Sequence, residues 1–253
     1  MVYDLQKAST WKRTAAWIFD GIIVISLAVG LAFLLSMVLG YDGYSRSLND
    51  AYARYETEYG IVFDMTQEDY QALDEASRQN YDDAYNALIG DEGAMYAYNM
   101  MVNLTLLITS MSIFLAVLLW EFLLPVWMGN GQTLGKKIFG LCLVRHDGVK
   151  LNTMQLFTRT VLGKFTIETM IPVYILIMIF WGGMGIGGTV LLLVLAVGQI
   201  ACVVLTRTNS AIHDLLAGTV VVDMASQMIF RTTDDLIAYK KKIAAEQAAR
   251  QVY

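Results

Sequence analysis

The stretch KRTAAWIFDGIIVISLAVGLAFLLSMVLG, residues 12 to 40, indicates the fold class, because it is long and apolar enough to cross a lipid bilayer as one helix. It also contains Asp20, seven residues after Arg13. A carboxylate near the centre of a bilayer helix costs about 2.5 to 3.5 kcal/mol on insertion scales. The two charges lie two helical turns apart, too far for the direct contact that a spacing of three or four residues allows. We therefore expect Asp20 to be paired with a basic side chain from another part of the chain, such as Arg159 or Arg207.

The composition is typical of an integral membrane protein. Of the 253 residues, 56% are hydrophobic and 16% are charged, whereas about 25% of the residues of soluble domains are charged. Residues 15 to 40 exceed the apolar region of a secretory signal peptide, about 7 to 15 residues, so we expect this segment to remain as an anchor. The two cysteines are too few for a disulfide framework, and Cys142 and Cys202 are predicted to be reduced packing residues.

Four apolar segments predict an all-α membrane protein with four transmembrane helices. They cover residues 15–40, 98–128, 165–181 and 188–206. The second is predicted to tilt or break near Pro125, and the third contains Pro172. The glycine-rich connection between the last two, residues 182 to 188, is short, which predicts that these spans form an antiparallel hairpin.

The basic residues predict the orientation of the spans, since Lys and Arg concentrate on the cytosolic side of a membrane. The insertion from Tyr41 to Tyr98 holds three arginines and thirteen acidic residues, a net charge of −10, while the other fifteen Lys and Arg residues lie outside it. Both termini are therefore predicted to be cytosolic and the acidic insertion extracytoplasmic. The predicted regions are a cytosolic N-terminus with the first span (1–40), the acidic insertion (41–98), the second span (99–128), a cytosolic loop (129–164), the hairpin of spans three and four (165–206) and a cytosolic tail (207–253).

The acidic insertion is predicted to be helical. Thr66 followed by Asp69 resembles a helix start, Gly90 a helix end, and an apolar and tyrosine stripe runs between them. A second helix is predicted around Tyr52 and Tyr59, so that two tyrosine-lined faces can pack together.

Two short strands and one helix are predicted in the cytosolic regions. The apolar runs IFGLCLVR (residues 138–145) and GTVVVDM (218–224) favour strands, which we expect to pair as a short β-hairpin-like sheet. The tail from Thr232 to Tyr253 is predicted to be an amphipathic helix whose lysines either contact anionic lipid or face solvent.

The sequence gives little support for an enzyme. GQTLGKK (131–137) fails as a phosphate-binding loop because three residues rather than four separate its glycines, and Lys137 stands where a hydroxyl residue is needed. The two histidines, His146 and His213, show no metal-site spacing, and no nucleophile motif occurs. We therefore expect no catalytic residue, no metal and no cofactor.

Charges placed at one depth are the candidate functional residues. They lie in or near the inner parts of the predicted spans: Arg13, Asp20, Glu121, Arg159, Glu168, Arg207 and Asp214. Charges inside a membrane usually face the bundle interior or a wet cavity and pair with one another. Two interpretations remain open, a fixed ion-pair network that holds the helices together and a path for ions or protons with Asp20 as the titrating carboxylate.

Four motifs in this order resemble the RDD family of bacterial membrane proteins, named for one arginine and two aspartates. The motifs are KRTAAWIFDGIIV, GQTLGKKIFGLCLVRHDG, LFTRTVLGK and NSAIHDLLAGTVVV. The resemblance implies that Arg13 is the arginine and that Asp20 and Asp214 are the two aspartates. It also implies a small inner-membrane protein with a role in transport, some members having been linked to sodium-proton antiport. The acidic insertion lies outside the shared pattern.

Two functions are therefore expected from the sequence. The first is transport of ions or small solutes, such as cation/proton exchange, by a multi-pass protein of the bacterial inner membrane. Since four spans enclose little volume, this protein is expected to be a homo-oligomer; its other partners are the lipid bilayer and an inorganic cation or proton, with no nucleic acid. The alternative is a non-catalytic assembly, accessory or sensor protein whose acidic ectodomain binds a partner.

Overall fold

The computed structural model describes residues 4–129, 131–174 and 185–251, and these residues divide into two compact units. Unit 1 comprises residues up to Ala28 and from Ile113 onward; unit 2 comprises Val29–Ser112. Two long helices, α1 (Thr10–Val38) and α5 (Glu92–Val117), contribute residues to both units. Unit 2 therefore includes the whole predicted insertion together with the adjoining ends of these helices.

Among the residues that the structure describes, three helical stretches are long and apolar enough to cross a membrane. They are Thr10–Val38, Glu92–Met128 and Ile186–Leu205, and they match the predicted first, second and fourth spans. The last of them lies in α9 (Gly185–Leu205), so the final glycines of the predicted connection are already helical. The predicted third span falls partly outside the described residues, which end at position 174 and resume at 185.

The second span changes its helical winding just before Pro125. Helix α5 is followed by a π-helical segment, Leu118–Leu123, and then by α6 (Leu124–Met128), with Pro125 in the first turn of α6. The Leu124 N–H bonds to the carbonyl of Leu119, five residues back, as π winding requires. Pro125 has no N–H to donate, so a change of register at this point leaves no backbone donor unsatisfied. The predicted break is therefore a local change of winding within one continuous helical stretch.

Unit 2 contains three short helices between α1 and α5: α2 (Tyr41–Tyr59), α3 (Gln67–Ala72) and α4 (Glu75–Gly90). The Thr66 and Asp69 capping box starts α3, and α4 ends at Gly90, as predicted. The prediction of one helix across residues 66 to 90 is wrong, because Asp74 caps a second helix by accepting a hydrogen bond from the Ser77 N–H.

The aromatic residues of unit 2 form its core. Phe63 packs edge-on against both Tyr52 and Tyr81, with ring centroids 5.4 and 5.7 Å apart. Helices α2 and α4 pack together around Ala51 and Leu88. The sequence prediction that two tyrosine-lined helices associate is thus confirmed.

Unit 1 contains a two-stranded antiparallel sheet. Strand β1 (Leu141–Arg145) pairs with β2 (Thr219–Asp223), with Leu143 opposite Val221. The predicted pairing is confirmed, although α8 (Thr153–Phe157), α9 and α10 (Ile212–Ala217) lie between the strands in sequence, so the sheet is not a hairpin. Both strands are buried along four consecutive residues, because helices and the N-terminal segment cover the sheet.

Unit 1 contains further helical elements before and after these strands. Helix α7 (Leu134–Ile138) precedes β1, and a second π-helical segment, Thr158–Glu168, follows α8. The C-terminal helix α11 (Thr233–Gln251) begins with Asp235 accepting a hydrogen bond from the Thr232 N–H, which confirms the predicted helical tail. Its first turn packs Leu236 against Phe230.

Candidate functional site

Asp20 is buried in α1 and is held by three neutral hydrogen-bond donors. Its Oδ1 accepts from the Trp120 indole N–H at 3.0 Å and from the Gly135 backbone N–H at 2.9 Å, and its Oδ2 accepts from the Thr133 hydroxyl. In the part of the chain that the structure describes, no ion pair joins Asp20 to a basic side chain. The prediction of a direct basic partner is therefore wrong, because neutral donors satisfy both carboxylate oxygens.

The backbone of α7 approaches α1 closely at this site. A Cβ on Gly135 would lie 2.6 Å from the Ala16 carbonyl oxygen and 2.8 Å from the Asp20 carboxylate, so only glycine fits here. Thr133 caps α7 by accepting a hydrogen bond from the Lys136 N–H, and the same hydroxyl also accepts from Lys136 Nζ at 3.1 Å. Asp20 is thus one hydroxyl group away from the Lys136 ammonium.

Asp214 is fully buried in α10 and joins two arginines from distant parts of the chain. Arg159 Nε donates to its Oδ1 at 2.9 Å, and Arg13 Nη2 donates to its Oδ2 at 3.2 Å. Burial alone would raise the pKa of Asp214, but the Arg159 guanidinium, together with Arg13, holds that pKa well below its usual range. The Asp214 carboxylate therefore remains charged and bridges the two guanidinium groups.

Arg13 also fixes the segment that connects α9 to α10. Its Nη1 donates to the backbone carbonyls of Thr208 at 3.2 Å and Asn209 at 2.5 Å. Asn209 has a φ of 51°, a left-handed conformation that asparagine adopts more readily than most residues. A single side chain on α1 thereby orients the entry to α10.

His213 links Arg159 to Glu168, and its partners define its tautomer. Arg159 Nη2 is a donor, so the His213 Nε2 at 2.8 Å accepts, and the Nδ1–H donates to Glu168 Oε1 at 2.5 Å. Burial and the Arg159 charge lower the pKa of His213. The imidazole is therefore neutral at pH 7, and its two hydrogen bonds connect Glu168 to Arg159.

The second π-helical segment approaches α10 so closely that only glycine fits at position 163. A Cβ on Gly163 would lie 2.6 Å from the His213 Cβ and 2.9 Å from its Cα. This close approach allows Arg159 and Glu168, on either side of Gly163, to reach His213 and Asp214 together.

Glu121 forms a second ionic cluster with two lysines. Lys164 Nζ donates to Glu121 Oε1, and Lys136 Nζ lies 3.9 Å from Oε2. Burial lowers the pKa of Lys136 to about 8, although the Glu121 charge partly opposes this shift. Glu121 Oε2 and Arg159 Nη1 are buried and have no hydrogen-bond partner.

Both clusters border one cavity of about 570 Å³ within unit 1. Its charged lining residues are Arg13, Asp20, Glu121, Lys136, Arg159, Lys164 and Glu168. Apolar residues of α9, among them Leu195, Ala196 and Val203, form another part of the wall. This arrangement is typical of small-molecule sites, which are mainly apolar with a few convergent polar groups.

Of the predicted site residues, the structure groups all but one. Arg13, Asp20, Glu121, Arg159, Glu168 and Asp214 lie in or beside this cavity. Arg207 is instead exposed in the turn after α9 and lines a separate surface recess with Lys7. The prediction that Arg207 belongs to this site is wrong, because the chain turns after Leu205 and places Arg207 at the protein surface.

Several site residues lacked a distinctive sequence signal. Trp120, Thr133 and Gly135 donate hydrogen bonds to Asp20, but all three are uncharged and resemble ordinary packing and turn residues in the sequence. Lys136 and Lys164 were counted only as basic residues that indicate the cytosolic side. Within the described ranges, no group of three or more His, Cys, Asp or Glu side chains is arranged to hold a metal ion.

The long apolar helices and the buried mixed-charge cluster define a membrane protein with an ionic interior. The model of the RDD family matches residues 7–218, and the chain belongs to that family. Arg13, Asp20 and Asp214 all lie within the matched region.

The chain is also similar to the uncharacterized protein YckC of Bacillus subtilis (strain 168). The two are 29% identical over 115 residues, which cover 44% of this chain and 60% of that relative. No solved structure matches the chain.

Proposed function

We propose that this protein is a multi-pass protein of the bacterial inner membrane that transports ions or small solutes and has no enzymatic activity. In this proposal four helices cross the membrane, both termini and the β1–β2 sheet lie in the cytosol, and the acidic insertion, residues 41–98, lies outside. The RDD family membership and the three apolar helices support the membrane setting. Assembly into a homo-oligomer is part of the proposal.

The observation that carries the proposal is a cavity lined by charged side chains, two of which have a polar atom without a hydrogen-bond partner. A purely structural network would be expected to pair every buried polar atom, since each unpaired one costs about 1 to 3 kcal/mol. Here Glu121 Oε2 and Arg159 Nη1 have no hydrogen-bond partner, and both residues line a cavity of small-molecule size. A donor and an acceptor without hydrogen-bond partners beside a cavity support binding of a charged solute.

The geometry assigns different roles to the charges. Three neutral donors occupy three of the roughly four lone-pair positions of the Asp20 carboxylate, which favours an anchoring role. Asp214 bridges Arg13 and Arg159 and is also anchored. Glu121 and the lysines beside it are therefore the groups that we propose to meet the solute or proton.

Solute flux in reconstituted vesicles tests this proposal. Purified protein in liposomes with an internal pH-sensitive dye is challenged with gradients of Na⁺, K⁺ and small organic ions, in wild type and Glu121→Gln. We expect flux that requires wild-type protein and falls at least tenfold in Glu121→Gln, with Glu68→Gln in α3 as a matched control that retains flux. Absence of protein-dependent flux for every solute would reject transport.

A second candidate function rests on unit 2. This unit is compact, has its own aromatic core and contains the acidic insertion with its net charge of −10. A folded acidic module is suited to binding a basic partner, which would make the protein an accessory or sensor protein. Loss of a co-purifying membrane partner after replacement of residues 42–91 by a Gly/Ser linker, with flux absent from wild type, would favour this function.

A further inference from the structure

We infer that the solute bound in the unit 1 cavity is a small zwitterion, with a carboxylate at Arg159 and an ammonium group at Glu121. This inference rests on the proposed transport function and specifies its substrate class. Two buried atoms at this cavity lack a hydrogen-bond partner and have opposite chemistry: Arg159 Nη1 can only donate a hydrogen bond, and Glu121 Oε2, whose nearest ammonium group is 3.9 Å away, can only accept one. The side chains of Arg159 and Glu121 are 3% and 10% exposed, and both atoms themselves are buried, so neither atom is compensated by bulk water.

A simple cation fits the cavity poorly. Lys164, which donates to Oε1 of Glu121, and Lys136, 3.9 Å from Oε2, would face an inorganic cation and the ammonium group of a zwitterion alike, so the difference lies at Arg159. The inorganic cation could not accept a hydrogen bond from Arg159 Nη1 and would be repelled by that guanidinium. An inorganic cation would therefore leave the unpaired Arg159 donor unsatisfied.

A simple anion has the opposite difficulty. A carboxylate can accept from Arg159 Nη1, but it cannot donate to Glu121 Oε2, and the Glu121 and Asp214 carboxylates repel it. A solute with both an acceptor and an ammonium donor satisfies both unpaired atoms and adds no net charge to the cavity. The volume of about 570 Å³ accommodates an aminocarboxylate together with the apolar chain between its charges, which can contact the α9 wall.

Ligand binding to the purified full-length protein in detergent tests this inference. The probes are β-alanine, 4-aminobutyrate and 5-aminovalerate, which differ in the separation of their charges, with butyrate and butylamine as single-charge analogues and NaCl as the inorganic cation. We expect at least one aminocarboxylate to raise the thermal unfolding temperature in a concentration-dependent way and to bind in equilibrium dialysis, because a ligand stabilises the folded state to which it binds. At equal concentration the analogues and NaCl are expected to bind at least tenfold more weakly.

A variant separates the site from non-specific binding. Glu121→Gln removes the anionic acceptor and is expected to weaken aminocarboxylate binding at least tenfold, whereas Glu246→Gln in the exposed part of α11 is expected to leave it unchanged. If Glu121→Gln does not fold, the comparison of probes on wild type and their protection of an introduced cavity cysteine, Ala196→Cys, from a thiol reagent decide the question.

The outcomes distinguish this inference from the proposed function. Failure of all three aminocarboxylates to bind, or equal binding of the single-charge analogues, overturns the zwitterion site even if vesicles show flux of another solute. Aminocarboxylate binding without flux of any solute supports the site and rejects transport.

Discussion

At the residue scale, the central feature is that Asp20 is buried among neutral donors while the other charges are paired with one another. Two of its three donors come from Thr133, which caps α7, and Gly135, in its first turn. The sequence predicted that Asp20 needs a partner from elsewhere in the chain, since the cost of a buried carboxylate is general. It did not predict the kind of partner, because a tryptophan, a threonine and a glycine amide resemble ordinary packing and turn residues.

Replacing Gly135 by alanine tests how closely α7 approaches Asp20. The added methyl would lie within 3 Å of the Ala16 carbonyl and the Asp20 carboxylate, so α7 must move and the Gly135 N–H bond to Asp20 is lost. We expect a loss of about 1 to 3 kcal/mol, seen as a lower thermal unfolding temperature in detergent.

The matched control for this prediction is Gly21→Ala, next to Asp20 in α1, where a Cβ meets nothing within 4 Å. Its unfolding temperature is expected to equal or exceed that of wild type, because alanine favours a helix. Equal effects of the two substitutions would contradict the proposed contact.

His213 predicts a specific loss of stability in mild acid. Burial and Arg159 lower the pKa of the folded imidazole below 6.5, so as pH falls below about 6.5 the unfolded chain binds a proton that the folded chain does not. Stability conferred by the neutral imidazole is present above that pH and declines by at most about 1.4 kcal/mol per pH unit below it.

The measurement is unfolding temperature from pH 7.5 to 5 in wild type and His213→Gln, whose amide oxygen can still accept from Arg159. The variant is expected to lack the wild-type decline between pH 6.5 and the folded pKa. Identical pH profiles for the two proteins would contradict the assignment of a neutral His213.

At the element scale, the π-helical winding decides which charges meet. Arg159 and Glu168 are nine residues apart, about two and a half turns of an α-helix, so α winding would place them on opposite faces. In the second π-helical segment, backbone and side-chain donors bond five residues back, as the Thr169 N–H does to the Lys164 carbonyl at 3.0 Å. The wider turns bring Arg159, Lys164 and Glu168 to the same cavity.

Hydrophobic patterns in the sequence predict much of the fold, but they do not predict the π-helical winding. Three of the four predicted apolar spans, the β1–β2 pairing and the helical tail follow from hydrophobic runs and residue preferences, and the structure contains these elements in its described part. The grouping of charges on the second π-helical segment could not be predicted in this way, because an α-helical periodicity of 3.6 residues per turn places these charges on different faces. The split between α3 and α4 was likewise missed because Asp74 resembles one more surface acid until its side chain caps a helix.

Deletion of Leu162 tests the winding directly. Removing this half-exposed residue shifts Lys164 and Glu168 by one position relative to Arg159 and breaks the Glu121–Lys164 or His213–Glu168 contact. Because an uncompensated buried charge costs about 3 to 5 kcal/mol, we expect a large fall in unfolding temperature. Leu162→Ala, which keeps the register, is expected to lose much less; an equally large loss would argue that Leu162 acts by packing alone.

At the scale of the whole molecule, the chain combines two compact units of different composition. Unit 1 contains the charge clusters and the cavity, and unit 2 contains the acidic insertion. The charge asymmetry of the sequence marked this division, although the observed unit 2 also includes ends of α1 and α5 that sequence analysis assigned to the spans.

Replacement of residues 42–91 by a Gly/Ser linker tests whether the site is independent of the acidic helices. All residues that line the cavity belong to unit 1, so solute binding by the purified variant is expected to remain within about threefold of wild type. The measurement is equilibrium dialysis with 4-aminobutyrate. Loss of binding in a variant that still unfolds cooperatively would show that unit 2 contributes to the site.

The central claim is that unit 1 encloses a water-accessible charged cavity within a membrane protein, and adjacent positions on α9 test it most directly. Both Ala196 and Val197 are exposed, but of the two only Ala196 lines the cavity. In a background with Cys142 and Cys202 replaced by alanine, each position is changed to cysteine and exposed in membrane vesicles to a charged thiol reagent that requires water. The account predicts rapid labelling of Ala196→Cys and little labelling of Val197→Cys, which faces lipid. Labelling of Val197→Cys with protection of Ala196→Cys would contradict it.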